Sequence, residues 1–305
     1  MKKSKTMMLA FLIPAVVIFL LIFIYPSVRT MHMSLYSVKS VTDPSSRWTY
    51  VGLDNYFNLF KSALSVQSFV NIGKIWLFGG VFVMVLSLAF SAMLTSGMRG
   101  KSFFRAVLYL PNVVSVIAWG TVWFQAVYSP EYGFLKDIFS FLGLQRLAEI
   151  QWTDKDHIFY AMLFAYCVSM VGYYVLIFVA GIDRIPRDYY EAATIAGAGK
   201  VQQFFTITLP LLRDIIRTSV VLWSISAIGF FVWTQVFSRF ACTLETVTPM
   251  AFMYQVVFGR EFVTSNPELI NAGLGAASGV IMTLLVIVLF VIISAIFRTD
   301  KDVEF

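Results

Sequence analysis

Charge is what this chain has least of. Asp, Glu, Lys and Arg make up 13% of its 305 residues, and histidine occurs only twice. Six uncharged runs, residues 6–28, 75–98, 106–130, 158–182, 218–238 and 269–297, reach the roughly 20 positions needed to cross a bilayer. A secondary transporter usually carries an Asp, Glu, Lys or Arg inside such runs as its proton or sodium relay, and none is present here. Cysteine is as scarce as histidine: Cys167 falls in a span and Cys242 outside one, while His32 and His157 stand alone. That pattern offers neither metal-ligand spacing nor a disulfide. No nucleophile, base and orienting group form a recognisable set, so the expectation is a chain that is not an enzyme and binds no metal.

Two glycine patterns are also set aside. Gly197-Ala198-Gly199-Lys200 ends like a phosphate loop, but Val201 replaces the required Ser or Thr and Thr194 stands where the first glycine belongs. Gly273-x-Gly275 and Gly275-x-x-x-Gly279 sit in an apolar run with no strand before them, which is the setting of close helix packing and not of dinucleotide binding.

What is present is apolar surface. The chain is 59% hydrophobic with a mean hydropathy of +0.78, the balance of a polytopic membrane protein. The fold class expected is all-α, with six transmembrane helices in a single domain over 1–305. The first run is too long for a signal-peptide core and no small-residue cleavage site follows it; Lys2, Lys3 and Lys5 before it suggest an uncleaved anchor. With the amino terminus inside, thirteen of the 23 Lys and Arg fall on the cytoplasmic side with seven of the 17 acids, which places the whole net charge of +6 there. Both termini are then cytoplasmic, and the basic pI of about 9.2 reflects topology and anionic lipid contact, with no reason to invoke nucleic acid.

The loop at 183–212 differs from the other connections. Asp183, Arg184, Arg187, Asp188, Glu191 and Lys200 would cost roughly 15 to 21 kcal/mol inside a bilayer, so the loop lies outside it. Pro186 sets an entry turn, and Asp188 with Glu191 three residues on has the spacing of a capping box, predicting a helix from about Tyr189. Ala192, Ala193, Ala196 and Gly197 would form a smooth face open to close approach. Gly199 is expected to break this helix, Phe204, Phe205 and Ile207 to anchor a second one, and Leu209-Pro210 to mark its boundary.

The order Glu191-Ala192-Ala193, Gly197, nine residues, then Ile207-x-Leu209-Pro210 resembles in full the EAA loop of permease subunits of bacterial ATP-binding cassette importers. Lys101-Ser102-Phe103-Phe104-Arg105, Leu110-Pro111-Asn112, Ser129-Pro130-Glu131-Tyr132-Gly133, Gly172 and Ala180-Gly181-Ile182-Asp183-Arg184-Ile185-Pro186 are similar to stretches of the carbohydrate permeases of the maltose and glycerol-phosphate type. One stretch departs from that pattern. After the fifth span such permeases usually carry a T-x-G-G-P-like turn, where this chain has Ser238-Arg239-Phe240-Ala241-Cys242-Thr243-Leu244.

The resemblance implies a type I importer permease fold in a bacterial plasma (inner) membrane. Tyr189, Glu191, Ala192, Ala193, Gly197, Gly199, Ile207, Leu209 and Pro210 would then couple to the ATPase, a helix held in a partner's groove by a few anchors. The implied partners are a pair of cytoplasmic ATPase subunits that bind ATP and magnesium, a second permease subunit of a different chain, and an extracytoplasmic solute-binding protein.

Within the spans, Asn112, Ser115 and Trp119 on the third run, Ser169, Tyr173 and Tyr174 on the fourth, and Ser226 and Trp233 on the fifth are the polar and aromatic candidates for a sugar path. Serine at helix contacts and aromatic residues in spans equally serve packing and interfacial belts. Three alternatives stay open: a solute such as a glycerol phosphodiester, although the spans offer no cation to meet a phosphate; a channel or facilitator working alone; and a membrane anchor that recruits an ATPase without transporting.

Overall fold

In lipid every backbone N–H and C=O must find its partner within the protein, so long uncharged runs become helices. The computed structural model describes residues 5–239, 243–259 and 271–297. Its helices, in chain order, are α1 (5–33), α2 (Asp54–Lys61), α3 (Ala63–Thr95), α4 (Lys101–Val113), α5 (116–127), α6 (Phe134–Phe141), α7 (Gln145–Ala148), α8 (Ile158–Ile182), α9 (Arg187–Ile195), α10 (200–211), α11 (Arg213–Ile228), α12 (Val232–Phe237), α13 (Pro249–Phe258) and α14 (Ala272–Ile296). One antiparallel pair, β1 (Tyr36–Ser37) and β2 (Thr49–Tyr50), joins Tyr36 to Tyr50 and Ser37 to Thr49. Lys2, Lys3, Cys242, residues 269–270 and the basic residues Arg298 and Lys301 lie outside the described residues.

Ala10–Met33, α3, α8 and α14 are long and apolar enough to cross a membrane, and α4 with α5 makes a fifth span if the pair is taken as one. Two expected single helices are therefore not single. The run at 106–130 bends by 102° between α4 and α5, where Val114 and Ser115 adopt extended backbone conformations. Pro111 upstream removes an amide donor, and the β-branched Val113, Val114 and Val116 favour extension over helix. The run at 218–238 stops at Gly229 and restarts at Val232. The break does not leave its carbonyls bare: Thr248 Oγ1 donates to the Phe230 carbonyl at 2.6 Å. The second span also starts at Ala63 rather than Ile75, and it carries Lys74 within it; the ammonium lies 5.5 Å over the Phe159 ring.

Backbone contacts divide the chain into two units, Met1–Val66 with Phe252–Leu284, and Gln67–Ala251 with Leu285–Phe305. In the first unit, Asn55 and Asn271 tie the β pair to the start of α14. Asn55 Nδ2 donates to the carbonyls of Ser34 and Tyr36 at 2.8 and 2.9 Å, and Asn271 Oδ1 accepts from the Val38 amide at 3.1 Å. A Cβ on Gly273 would meet the Tyr36 carbonyl, so this glycine serves close packing, against β1 and not against the helix expected from the sequence. The side chains along 10–26 of α1 are exposed and apolar on every face, the signature of a helix meant for lipid or for another subunit.

The second unit is organised around α8, most of whose length is buried. Gly172 lets α4 come so near that a Cβ would collide with the Leu108 carbonyl. Asn112 Nδ2 then donates to the Ser169 carbonyl at 2.7 Å across the same contact, and Ser87 Oγ on α3 donates to that of Val171 at 3.0 Å. On α11, Trp223 Nε1 donates to the Trp76 carbonyl at 2.9 Å while Trp76 Nε1 donates to Ser224 at 2.8 Å; Gly79 and Gly80 leave the space for the indole. Asn71 Nδ2 reaches the carbonyls of Leu244 and Val247 at 3.2 and 2.9 Å and so pins the segment that leads into α13.

Candidate coupling surface and translocation path

The charged loop folds into a helix, a tight bend and a second helix, with two differences from expectation. Pro186, extended at φ −56° and ψ 136°, takes the N-cap itself, so α9 begins at Arg187 and the Asp188–Glu191 capping box does not form. Asp188 instead lies in the first turn, where its charge complements the helix dipole. The breaker is Gly197 and not Gly199. Gly197 is left-handed at φ +84°, the Ala198 amide donates to the Ala193 carbonyl at 2.9 Å and the Gly197 amide to that of Thr194 at 3.0 Å, which together make a Schellman close. Gly199, at φ −72° and ψ 164°, is the N-cap of α10.

Leu209-Pro210 is not a boundary either. The helix passes through a π turn at Phe204–Thr208 and continues to Leu211, ending at Leu212. The wide π turn accommodates a proline whose missing amide leaves a carbonyl unpaired.

Most bonds of this segment close on itself. Tyr190 OH and Thr208 Oγ1 are 2.9 Å apart, and Gln203 Nε2 donates to Thr194 Oγ1 and to the Ala198 carbonyl, both at 2.9 Å. Links outward include Lys200 Nζ to the Ser96 carbonyl at 3.4 Å and the Arg105–Asp183 ion pair at 3.5 Å where the segment leaves α8. Large apolar side chains stand out among its charges, with Ile195 90%, Val201 74% and Phe205 60% exposed. Glu191, Ala192 and Gly197 share that exposure; Ala193, Ile207 and Leu209 are half-buried. Ile195 and Val201 were not singled out from sequence, because a lone apolar residue in a loop is no signal by itself.

Under the segment lies a cleft of about 820 Å³, bounded by the end of α3, the end of α8 and α9–α10.

The candidate path residues separate into three groups. Asn112 and Ser169 are joined to each other's helices, with Ser169 Oγ further donating to the Ala165 carbonyl at 2.9 Å. Tyr174 and Trp233 are buried in an aromatic cluster, with Tyr174 6.3 Å from Trp223 and Trp233 5.9 Å from Tyr166, centroid to centroid. Ser115, Tyr173 and Ser226 are exposed, and Trp119 is half-buried. The ladder expected of Asn112, Ser115 and Trp119 on one face is not formed, because Ser115 is the extended N-cap of α5 beyond the bend. Ser226 and Trp233 likewise fall on different helices, α11 and α12.

Between α5 and α12 a smaller cavity of about 270 Å³ is lined by Thr121, Phe124, Gln125, Val236 and Arg239. Arg239 is the one described residue other than glycine with positive φ, at 50°, and its guanidinium stands 5.1 Å over the Phe124 ring. This is where the departure from the usual turn begins: a left-handed position that glycine takes without strain is held by an arginine anchored to an aromatic face. Phe240, Ala241 and Cys242 of the same stretch lie outside the described residues.

Residues 87–300 match the family described as binding-protein-dependent transport system inner membrane component. The chain is 26% identical over 302 residues to the probable ABC transporter permease protein YurN of Bacillus subtilis, covering 98% of this chain and 99% of that one. It is 31% identical over 201 residues to the diacetylchitobiose uptake system permease protein NgcF of Streptomyces coelicolor, a match that spans 63% of this chain and 57% of that protein's length. Among solved structures, a bacterial ABC transporter involved in import of the acidic polysaccharide alginate superimposes with a TM-score of 0.79 at 17% identity, over 98% of both chains.

Proposed function

Since the chain belongs to the family of binding-protein-dependent transport system inner membrane components, a family of pore-forming importer permeases, we propose that it forms half of the pore of an ATP-driven sugar or oligosaccharide importer. As a member it is a multi-pass inner-membrane protein, and the family works with ATPase and solute-binding partners. The finer arrangement is our reading: both termini and residues 183–212 on the cytoplasmic side, a second and different permease chain, and two ATPase copies that hold ATP and magnesium. The sugar class is supported by the likeness to the diacetylchitobiose permease.

The observation that carries the reading is the α9–α10 segment, which has Ile195, Val201 and Phe205 exposed and is closed on itself by the Tyr190–Thr208 and Gln203 bonds. Apolar side chains in water at the end of a rigid unit are anchors for a groove. Closure of the ATPase pair around the segment would move it as one body and tip the bent α4–α5 span and the split α11–α12 span, alternating access to the path. Ser115, Tyr173, Ser226, Trp119 and Asn112 are the residues we place along that path, with Ser169, Tyr174 and Trp233 behind them as support.

The test is purification of the tagged chain from its native membranes, followed by ATPase assay with the native solute-binding protein and a panel of oligosaccharides. Turnover stimulated by one sugar is expected. A stable chain that carries no ATPase would sink the proposal and leave the facilitator.

A further inference from the structure

The cleft beneath the coupling segment has two chemistries in one space. Along α3 its wall is apolar, with Ala89, Ala92 and Met93, and Phe204 closes the opposite side. Arg187 and Lys200 line it as cations, and Asp183, the one acid in the lining, is already paired with Arg105 at 3.5 Å. Arg187 is also the first residue of α9, so the positive end of that helix adds to the field. Lys200 Nζ stands near the α3 end, 3.4 Å from the Ser96 carbonyl.

The depth of the cleft is fixed by the spans that border it: Thr95 is the last residue of α3 and Ile182 the last of α8. It therefore opens where hydrocarbon gives way to headgroups. A soluble anion would make no use of the apolar wall, and an acyl chain alone would make no use of two cations. An amphiphile with an anionic head uses both.

We propose that this cleft is a binding site for an anionic phospholipid, with the headgroup phosphate between Arg187 and Lys200 and the upper acyl chain along Ala89, Ala92 and Met93. The lipid bridges the end of α3 and the coupling segment, two elements otherwise joined there by the Lys200–Ser96 bond. The inference rests on the reading of residues 183–212 as cytoplasmic, and its readout is lipid binding, which does not depend on transport or on which ATPase co-purifies.

The full chain, with whatever subunits it retains, is stripped of lipid in detergent and titrated with phosphatidylglycerol or phosphatidylcholine, and bound lipid is counted by native mass spectrometry. Selective retention of phosphatidylglycerol is expected. R187Q/K200Q should bind it roughly 30-fold more weakly, the effect of two cations at a membrane surface. A92W, which fills the wall and keeps both charges, should also lose it. Equal retention of the two lipids by the unaltered chain, or of phosphatidylglycerol by all three chains, would overturn the proposal. So would displacement of the lipid by millimolar inorganic phosphate, which would mark a site for soluble anions. The lipid comparison on the unaltered chain and the A92W result keep the test decisive if the double variant does not fold.

Discussion

Glycine serves opposite purposes in the α8 core and in the coupling segment. In the core, Gly172, Gly79 and Gly80 have ordinary backbone angles, but a Cβ on any of them would meet a carbonyl or an indole. In the coupling segment, nothing lies within 4 Å of a Cβ built on Gly197 or Gly199, and Gly197 alone has an angle that other residues avoid. The core uses glycine to bring helices together. The coupling segment uses it to turn sharply in open space. One region is rigid through what it touches, and the other through its own internal bonds, which is what a lever moved by an outside partner requires.

The comparison is broken most severely in the core. Gly172→Val should separate α4 from α8 at a cost of about 3 kcal/mol, because the colliding atoms are backbone and cannot rotate away. A thermal midpoint lowered by about 5 °C in detergent is the expected reading.

In the coupling segment the largest effect should be on association and not on folding. Ile195→Glu is expected to weaken ATPase retention about 30-fold, the scale of one interface anchor, with the thermal midpoint unchanged. An unchanged yield of co-purified ATPase would remove Ile195 from the docking surface.

Gly197→Val comes next: a β-branched residue at φ +84° costs about 1–2 kcal/mol locally. The chain should still insert in membranes while solute moved per ATP falls, a ratio measured in vesicles; Gly197→Asn, which tolerates the left-handed region, should restore part of it. Glu191→Ala should lower the same ratio without lowering stability. The smallest effect sharpens the contrast. Gly199→Ala should shift stability by less than about 0.5 kcal/mol, since both the space and the angle permit it.

The position of the charged loop between α8 and α11 was legible because its charge forbids burial. Its internal joints were not. Two glycines two residues apart are equivalent on paper, and which one turns left-handed depends on where α9 starts, which Pro186 shifted by taking the N-cap. Four spans were legible from uncharged length, although the second begins ahead of its uncharged run and carries Lys74; the breaks at Val114-Ser115 and at 229–231 were not, since apolar composition runs unchanged through both. They exist because distant groups satisfy or brace the interrupted backbone: Ser169 for Asn112, Thr248 for Phe230. The asparagine pair Asn55–Asn271, joined at 3.2 Å, gave no local signal at all across 216 residues.

Four π turns occur among the described residues, at Leu20–Ile24, Ile75–Gly79, Trp123–Val127 and Phe204–Thr208. Each holds one residue more than the α-helical turn it interrupts, and so rotates everything downstream by about 100° without ending the helix. A relative lacking one of these turns would present a different stripe of side chains from the same helix, and would align with this chain only through a gap of a single residue. Such gaps inside spans, usually dismissed as noise, would then be a record of insertion and deletion by which related pores acquire different linings on an unchanged scaffold.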